Sequence, residues 1–295
     1  LTSTCFFMFP IHLDLGFNQI YFYEGLYFLI SIVIGAYIGY KRFKKYGGKV
    51  ELYDGLITWS IIGALIGARL SHYLFWNLDL LLQNPGVLFS LSGAGNSITG
   101  GLVGGMVGGL LFTRKHKINY FEYFSLLSPA ILFAQAVGRV GCFLNGDAHG
   151  VATNSFLGVH FPRYGTMVPG FETDYSISSP AWQWSYQHGL VDAASSVSAA
   201  LHPTQLYEMA GDLILMGIVL WVFNKIWENN KRSPLIFFIH TGGYALLRFA
   251  LEFIRGDREF IAFANMTNLQ IALLGYGLFT IFYAIRFYNK QKAHG

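Results

Sequence analysis

Seven runs of apolar residues, at 20–40, 55–76, 97–113, 118–137, 206–223, 234–254 and 268–288, come close to the length that crosses a bilayer. A helix covers the ~30 Å hydrocarbon core with about 20 residues, and in lipid its backbone N–H and C=O groups must be satisfied within the segment. Runs of this kind therefore predict an all-α membrane protein with seven transmembrane helices. The chain is 53% apolar and only 12% charged, whereas soluble domains carry roughly 25% charge. One integral membrane domain over 1–295 is expected, with a small outer head segment between helices four and five, at 138–205.

The distribution of lysine and arginine sets the expected orientation. With alternating helices, Lys41, Arg42, Lys44, Lys45 and Lys49 fall on the same side as Arg114, Lys115, Lys117, Lys225, Lys231, Arg232, Arg286, Lys290 and Lys292. By the positive-inside rule that side is the cytoplasm, which places the N-terminus outside and the C-terminus inside. The first basic residue, Lys41, follows the first apolar run, so no secretory signal is expected. The net charge of +4 belongs to these loops and does not point to nucleic acid. Cys5 and Cys142 are the two cysteines, and no disulfide framework is expected of them.

The remaining basic residues, Arg69, Arg139, Arg163, Arg248, Arg255 and Arg258, are all arginines at the outer side. A guanidinium loses water more readily than an ammonium and grips carboxylate or phosphate through two N–H groups. Either anion recognition or ion pairing between helices accounts for them. A charged group at membrane depth costs about 2.5–3.5 kcal/mol, so each calls for a partner or a function. Glu24, Arg69, His72, Thr99, Arg139, Glu208, Arg248 and Glu252 all fall at outer helix ends, as expected for chemistry on a lipid headgroup rather than for an ion pathway. Arg248 and Glu252 share a helical face, with Arg255 three residues beyond. The run 202–208, His-Pro-Thr-Gln-Leu-Tyr-Glu, brings His202, Gln205, Tyr207 and Glu208 to one helix entry. Gly100, Gly101, Gly104, Gly105, Gly108 and Gly109 form a doubled small-xxx-small pattern, suited either to close helix packing or to a groove for an acyl chain. The nine histidines are dispersed, so neither a metal site nor any other cofactor is expected.

Residues 138–150, Gly-Arg-Val-Gly-Cys-Phe-Leu-Asn-Gly-Asp-Ala-His-Gly, resemble the signature segment of the prolipoprotein diacylglyceryl transferases. Residues 54–75, 202–208 and 244–255 are similar to further segments of that family, in the same order. The resemblance implies a seven-helix enzyme of the bacterial inner membrane. Its partners would be phosphatidylglycerol and the signal peptide of a prolipoprotein, within the surrounding membrane lipids. It would move a diacylglyceryl group to the lipobox cysteine at the outer leaflet. Carried over, Arg139 and Arg248 bind the lipid phosphate, Glu208 and Glu252 support those arginines, and Gly150 closes the signature loop. His202 and Glu252 join the two arginines as catalytic candidates. Asn145, Asp147, Gln205, Tyr207, Arg255, Thr99 and Glu24 are substrate-binding candidates.

Four positions depart from the family pattern: Thr99 stands where histidine is usual, Cys142 for asparagine, Asp147 for glutamate and Glu24 for tyrosine. A threonine hydroxyl is no general base near neutral pH. Two readings follow: a transferase whose base is His149, His202, Glu24 or Asp147, or a paralogue that keeps the lipid pocket and transfers another group or none. Cys142 is either a small apolar residue or a covalent carrier.

Overall fold

The computed structural model describes residues 12–14, 19–89, 98–163, 178–227, 233–256 and 266–294. Among the described residues two short strands, β1 (His12–Asp14) and β2 (Gln19–Tyr21), pair ahead of nine α-helices. These are α1 (Phe22–Lys45), α2 (Tyr53–Trp76), α3 (Leu78–Gln83), α4 (Ile98–Lys115), α5 (Tyr120–Asn145), α6 (Pro180–Gln187), α7 (Thr204–Ile226), α8 (Leu235–Glu252) and α9 (Asn268–His294). A long helix lies over each of the seven apolar runs. Among the described residues, six segments are long and apolar enough to cross a membrane: Leu26–Lys45, Val50–Leu74, Tyr120–Asn145, Thr204–Ile226, Leu235–Glu252 and Asn268–Asn289. The chain is thus a mostly helical, multi-pass membrane protein. The Gly-rich α4 ends on Arg114 and Lys115 and does not reach that apolarity.

The chain divides into two compact units. One holds 14–19 and 36–127 and is organised by α2 against α4. Their contact is backbone on backbone: a Cβ built on Gly67 would stand 2.8 Å from the Cα of Gly104, and the reverse distance is also 2.8 Å. Gly63 and Gly108 also approach, with a Cβ on Gly63 falling 3.1 Å from Gly108 Cα. The second glycine row faces the same neighbour, since Gly101 and Gly105 lie against Ala68 and Ala64. Of the two readings of the glycine pattern, helix packing is the one observed. Without a hydrophobic driving force in lipid, such approach is what allows van der Waals contact to hold two helices together.

The other unit holds 1–13, 20–35 and 128–295. Here α7, α8 and α9 pack through paired small and large residues. Gly211 receives Leu247, Gly243 receives Leu215, and Gly277 receives Leu246. Tyr276 on α9 donates to Thr241 Oγ1 on α8 at 2.9 Å. Thr267 and Gln270 exchange side-chain and backbone hydrogen bonds at 2.9 and 3.1 Å, a reciprocal cap that starts α9. Deeper in this unit, Ser128 Oγ meets His240 Nδ1 at 2.6 Å, a buried polar pair between α5 and α8.

The described part of the head segment sits between the end of α5 and the start of α7. Ser179 accepts from Trp182 N and Pro180 occupies the first turn, which together start the short α6. Phe161, Ala181 and Leu201 form its core, with Phe143, Leu144, Val159 and Trp184 packed around them. Isolated bridges pair Ala152 and Val159 with Leu201, and Pro162 with Val197. Arg163 lies over the Trp182 ring at 4.2 Å and donates to Ala193 O, so this arginine packs within the head segment.

Candidate active site

The site grows from three helical faces in the second unit. On α7 the positions Gln205, Glu208, Asp212, Leu215, Val219 and Phe223 follow a three-and-four spacing and are all buried. One stripe is therefore polar over its first two turns and apolar below. On α8, Tyr244, Arg248 and Glu252 repeat every four residues, and on α5 Arg139 stands one turn above Gln135. Each repeat stacks side chains on one face.

Arg139 Nη2 meets Glu208 Oε1 at 2.5 Å, with the two side chains 9% and 3% exposed. The same carboxylate oxygen accepts from the Tyr244 hydroxyl at 3.2 Å. Arg139 Nη1 points to the sulfur of Cys142 at 3.9 Å. One turn above Tyr244, Arg248 Nη2 lies 3.0 Å from Glu252 Oε2, and Arg255 Nε lies 3.9 Å from that oxygen. The two arginines differ in one respect. Arg248 Nη1 is buried and has no hydrogen-bond partner among the described residues, whereas no side-chain nitrogen of Arg139 is left in that state. Asp212 is fully buried, and neither of its oxygens finds a hydrogen-bond partner among the described residues.

The signature loop is clamped to these helices through its backbone. Gly146 leaves α5 with φ +74°, and Ala148 follows at φ +52°. Thr204 Oγ1 donates to Ala148 O at 2.6 Å, and Gln205 Nε2 donates to Asp147 O at 2.5 Å. Gly150 N donates to His202 O at 2.8 Å, Val151 N to Ile254 O at 2.9 Å, and Gly256 N to His149 O at 3.0 Å. The loop thereby joins the end of α5 to the start of α7 and the end of α8. Gly150 bridges to Arg255 where these chains meet, which fixes the base of the Arg255 side chain.

Of the residues expected from sequence, Arg139, Glu208, Arg248, Glu252 and Arg255 are brought together, Gly150 of the loop bridges to Arg255, Asp147 O accepts from Gln205, and Asn145 ends α5. Gln205 acts on the loop backbone. His202 Nδ1 and the Tyr207 hydroxyl are 3.2 Å apart, both half-buried. Both amide atoms of buried Asn145 lack a hydrogen-bond partner among the described residues. His149 is buried against the Trp184 ring, 5.3 Å between centroids, with Nδ1 3.0 Å from Gly150 O. Thr99 opens α4 in the first unit with its side chain exposed. Glu24 lies in the first turn of α1, its side chain outside the described residues, as are Arg258 and the segments 164–177 and 257–265. Among the described residues no group of three His, Cys, Asp or Glu is placed to hold a metal ion. Sequence reasoning gave Tyr244 no role, although its position four residues before Arg248 is a readable signal.

The sequence model described as "Prolipoprotein diacylglyceryl transferase" matches residues 10–286. The chain belongs to that family. Among its relatives, the phosphatidylglycerol–prolipoprotein diacylglyceryl transferase of Xanthomonas campestris pv. campestris is 30% identical over 283 residues, covering 91% of this chain and 88% of the relative. The protein of the same name from Neisseria meningitidis serogroup B is 28% identical over 265 residues, 87% of each chain. That from Psychrobacter arcticus is 26% identical over 295 residues, 97% of each. Family membership thus extends over the first unit as well as the second, beyond the signature loop and the arginine ladder.

Proposed function

We propose that the chain transfers a diacylglyceryl group from phosphatidylglycerol to the lipobox cysteine of a prolipoprotein, at the outer leaflet of the bacterial inner membrane. The relatives' names supply the donor and the acceptor, and the site supplies the chemistry. α4 is then the seventh membrane helix, with the N-terminus outside and the C-terminus cytoplasmic. The carrying observation is the ladder of arginines and carboxylates at one end of α5, α7 and α8, where one guanidinium nitrogen, Arg248 Nη1, is buried with no hydrogen-bond partner among the described residues, as a phosphate oxygen requires of its donor.

In the reaction the cysteine sulfur forms a bond to the terminal glyceryl carbon as the bond from that carbon to the phosphate oxygen breaks. The electron pair stays on the phosphate, which leaves as glycerol phosphate, a dianion where the lipid carried one negative charge. The thiol proton ends in water. Arg139 and Arg248 stabilise the growing charge, and fixed donors in a dry site act without reorganising. Glu208, Glu252 and Arg255 hold the arginines in place. Asn145, with an unpaired buried amide, is suited to the glycerol hydroxyls. Thr204 and Gln205 keep the loop that carries Asp147 and Gly150 closed on the site, and His202 with Tyr207 borders it. A thiol with an ordinary pKa near 8.5 needs only modest help from a base.

The test is transfer of labelled diacylglyceryl from phosphatidylglycerol vesicles to a lipobox peptide by the purified chain. Wild type transfers, and Arg139→Ala falls by about 10²-fold or more, as for loss of a donor to a developing anion. Thr99 at the usual histidine position favours one other reading, a phosphatidylglycerol-binding paralogue. Retention of the lipid without transfer would establish it instead.

A further inference from the structure

We infer that the two arginines divide the work in time: Arg248 takes the lipid phosphate in the ground state, and Arg139 engages it only as the phosphate leaves, with Tyr244 as the positioning residue that permits the exchange. This rests on the transferase reading above and adds an order of events to it. A phosphodiester carries one negative charge. Against Arg139 it meets a carboxylate of equal charge already 2.5 Å from Nη2 and buried with it, so the intact lipid gains less there than at a buried donor with no partner. Arg248 is different, because its Nη1 is buried with no hydrogen-bond partner among the described residues while Nη2 stays on Glu252.

As the carbon–oxygen bond breaks, its electron pair makes the leaving phosphate a dianion. It then outcompetes Glu208 for the Arg139 guanidinium. The carboxylate so released keeps one donor, the Tyr244 hydroxyl already 3.2 Å from Oε1. Tyr244 and Arg248 share a face of α8 one turn apart, so the group that receives Glu208 and the group that holds the lipid are fixed to the same helix. An interaction made only in the transition state raises kcat, whereas one made equally in both states changes KM.

The experiment uses the full chain in nanodiscs, measuring kcat and KM for phosphatidylglycerol at saturating lipobox peptide, beside direct titration with a fluorescent phosphatidylglycerol. Arg248→Lys should raise KM and the dissociation constant together by about tenfold, with the smaller change in kcat. Glu208→Gln frees Arg139 in the ground state, so lipid binding should tighten severalfold while kcat falls. Tyr244→Phe, which keeps the ring, should lower kcat by about tenfold at unchanged KM. A purely structural tyrosine would shift neither constant alone, and thermal unfolding of each variant shows that the fold is retained. Equal KM increases for Arg139→Lys and Arg248→Lys, or Glu208→Gln binding the lipid no more tightly than wild type, would overturn the division. If wild type transfers nothing, the transferase reading fails, and the titrations alone decide the asymmetry between the two arginines.

Discussion

A Cβ added at Gly150 would stand 2.5 Å from the Cβ of His202 and 2.8 Å from the carbonyl oxygens of His202 and Ile254. Backbone from two neighbouring elements closes on this residue, so an alanine there has no flexible side chain to displace. Gly150→Ala should force the loop away from α7 or α8, destabilise the fold by about 1–3 kcal/mol as overpacking does, and abolish transfer. A thermal unfolding curve in detergent with a transfer assay measures both. The need for glycine at this position is not readable from the residues around it, because it arises from elements more than 50 positions away. The ladder was readable: Arg248 and Glu252 declare their shared face by spacing alone, and Tyr244 extends it. Glu208 on Arg139 joins helices 69 residues apart and had only the resemblance to suggest it.

At the scale of elements, apolar length located the long helices, six of which among the described residues are long and apolar enough to cross a membrane, since length is what a bilayer demands. It could not locate α6, whose sequence Pro-Ala-Trp-Gln-Trp-Ser-Tyr-Gln has no helical stripe long enough to read and which depends on the Ser179 cap and the Phe161–Leu201 core. Nor could spacing decide between the two uses of the α4 glycines. The decision came from where the Gly63 and Gly67 backbone lies. Gly104→Leu should drive α2 and α4 apart, because a Cβ there meets Gly67 Cα at 2.8 Å before the rest of the leucine is placed. The expected result is loss of the folded unit, seen as faster proteolysis within 36–127 and a lowered unfolding temperature, whereas Gly217→Leu, at a position where a Cβ meets nothing within 4 Å, should leave both unchanged.

For the whole molecule, the apolar side chains left exposed define a surface that water would not tolerate. Ile214 is 66% exposed, Ile218 47% and Trp221 60% on α7 alone, all opposite its buried stripe. A surface of this kind faces lipid. Ile214→Lys should cost roughly 2.5–3.5 kcal/mol on insertion if the position lies near the bilayer centre, which a membrane-integration assay on α7 with its flanking sequence reads directly. The division into two units was not legible in the sequence, because each is assembled from segments that the other interrupts.

The backbone contact between α2 and α4 also fixes how the sequence is allowed to change in length. One residue inserted in α2 between Gly63 and Gly67 turns the rest of the helix by about 100° and lifts it by about 1.5 Å. Gly67 would then be carried off the line it shares with Gly63 while α4 stays as it was, and no rotamer is available to absorb the error. Two helices that meet through side chains can repack around a slip of this kind. These two act as a ruler, so this part of the family should tolerate substitutions on the lipid face far more readily than insertions or deletions.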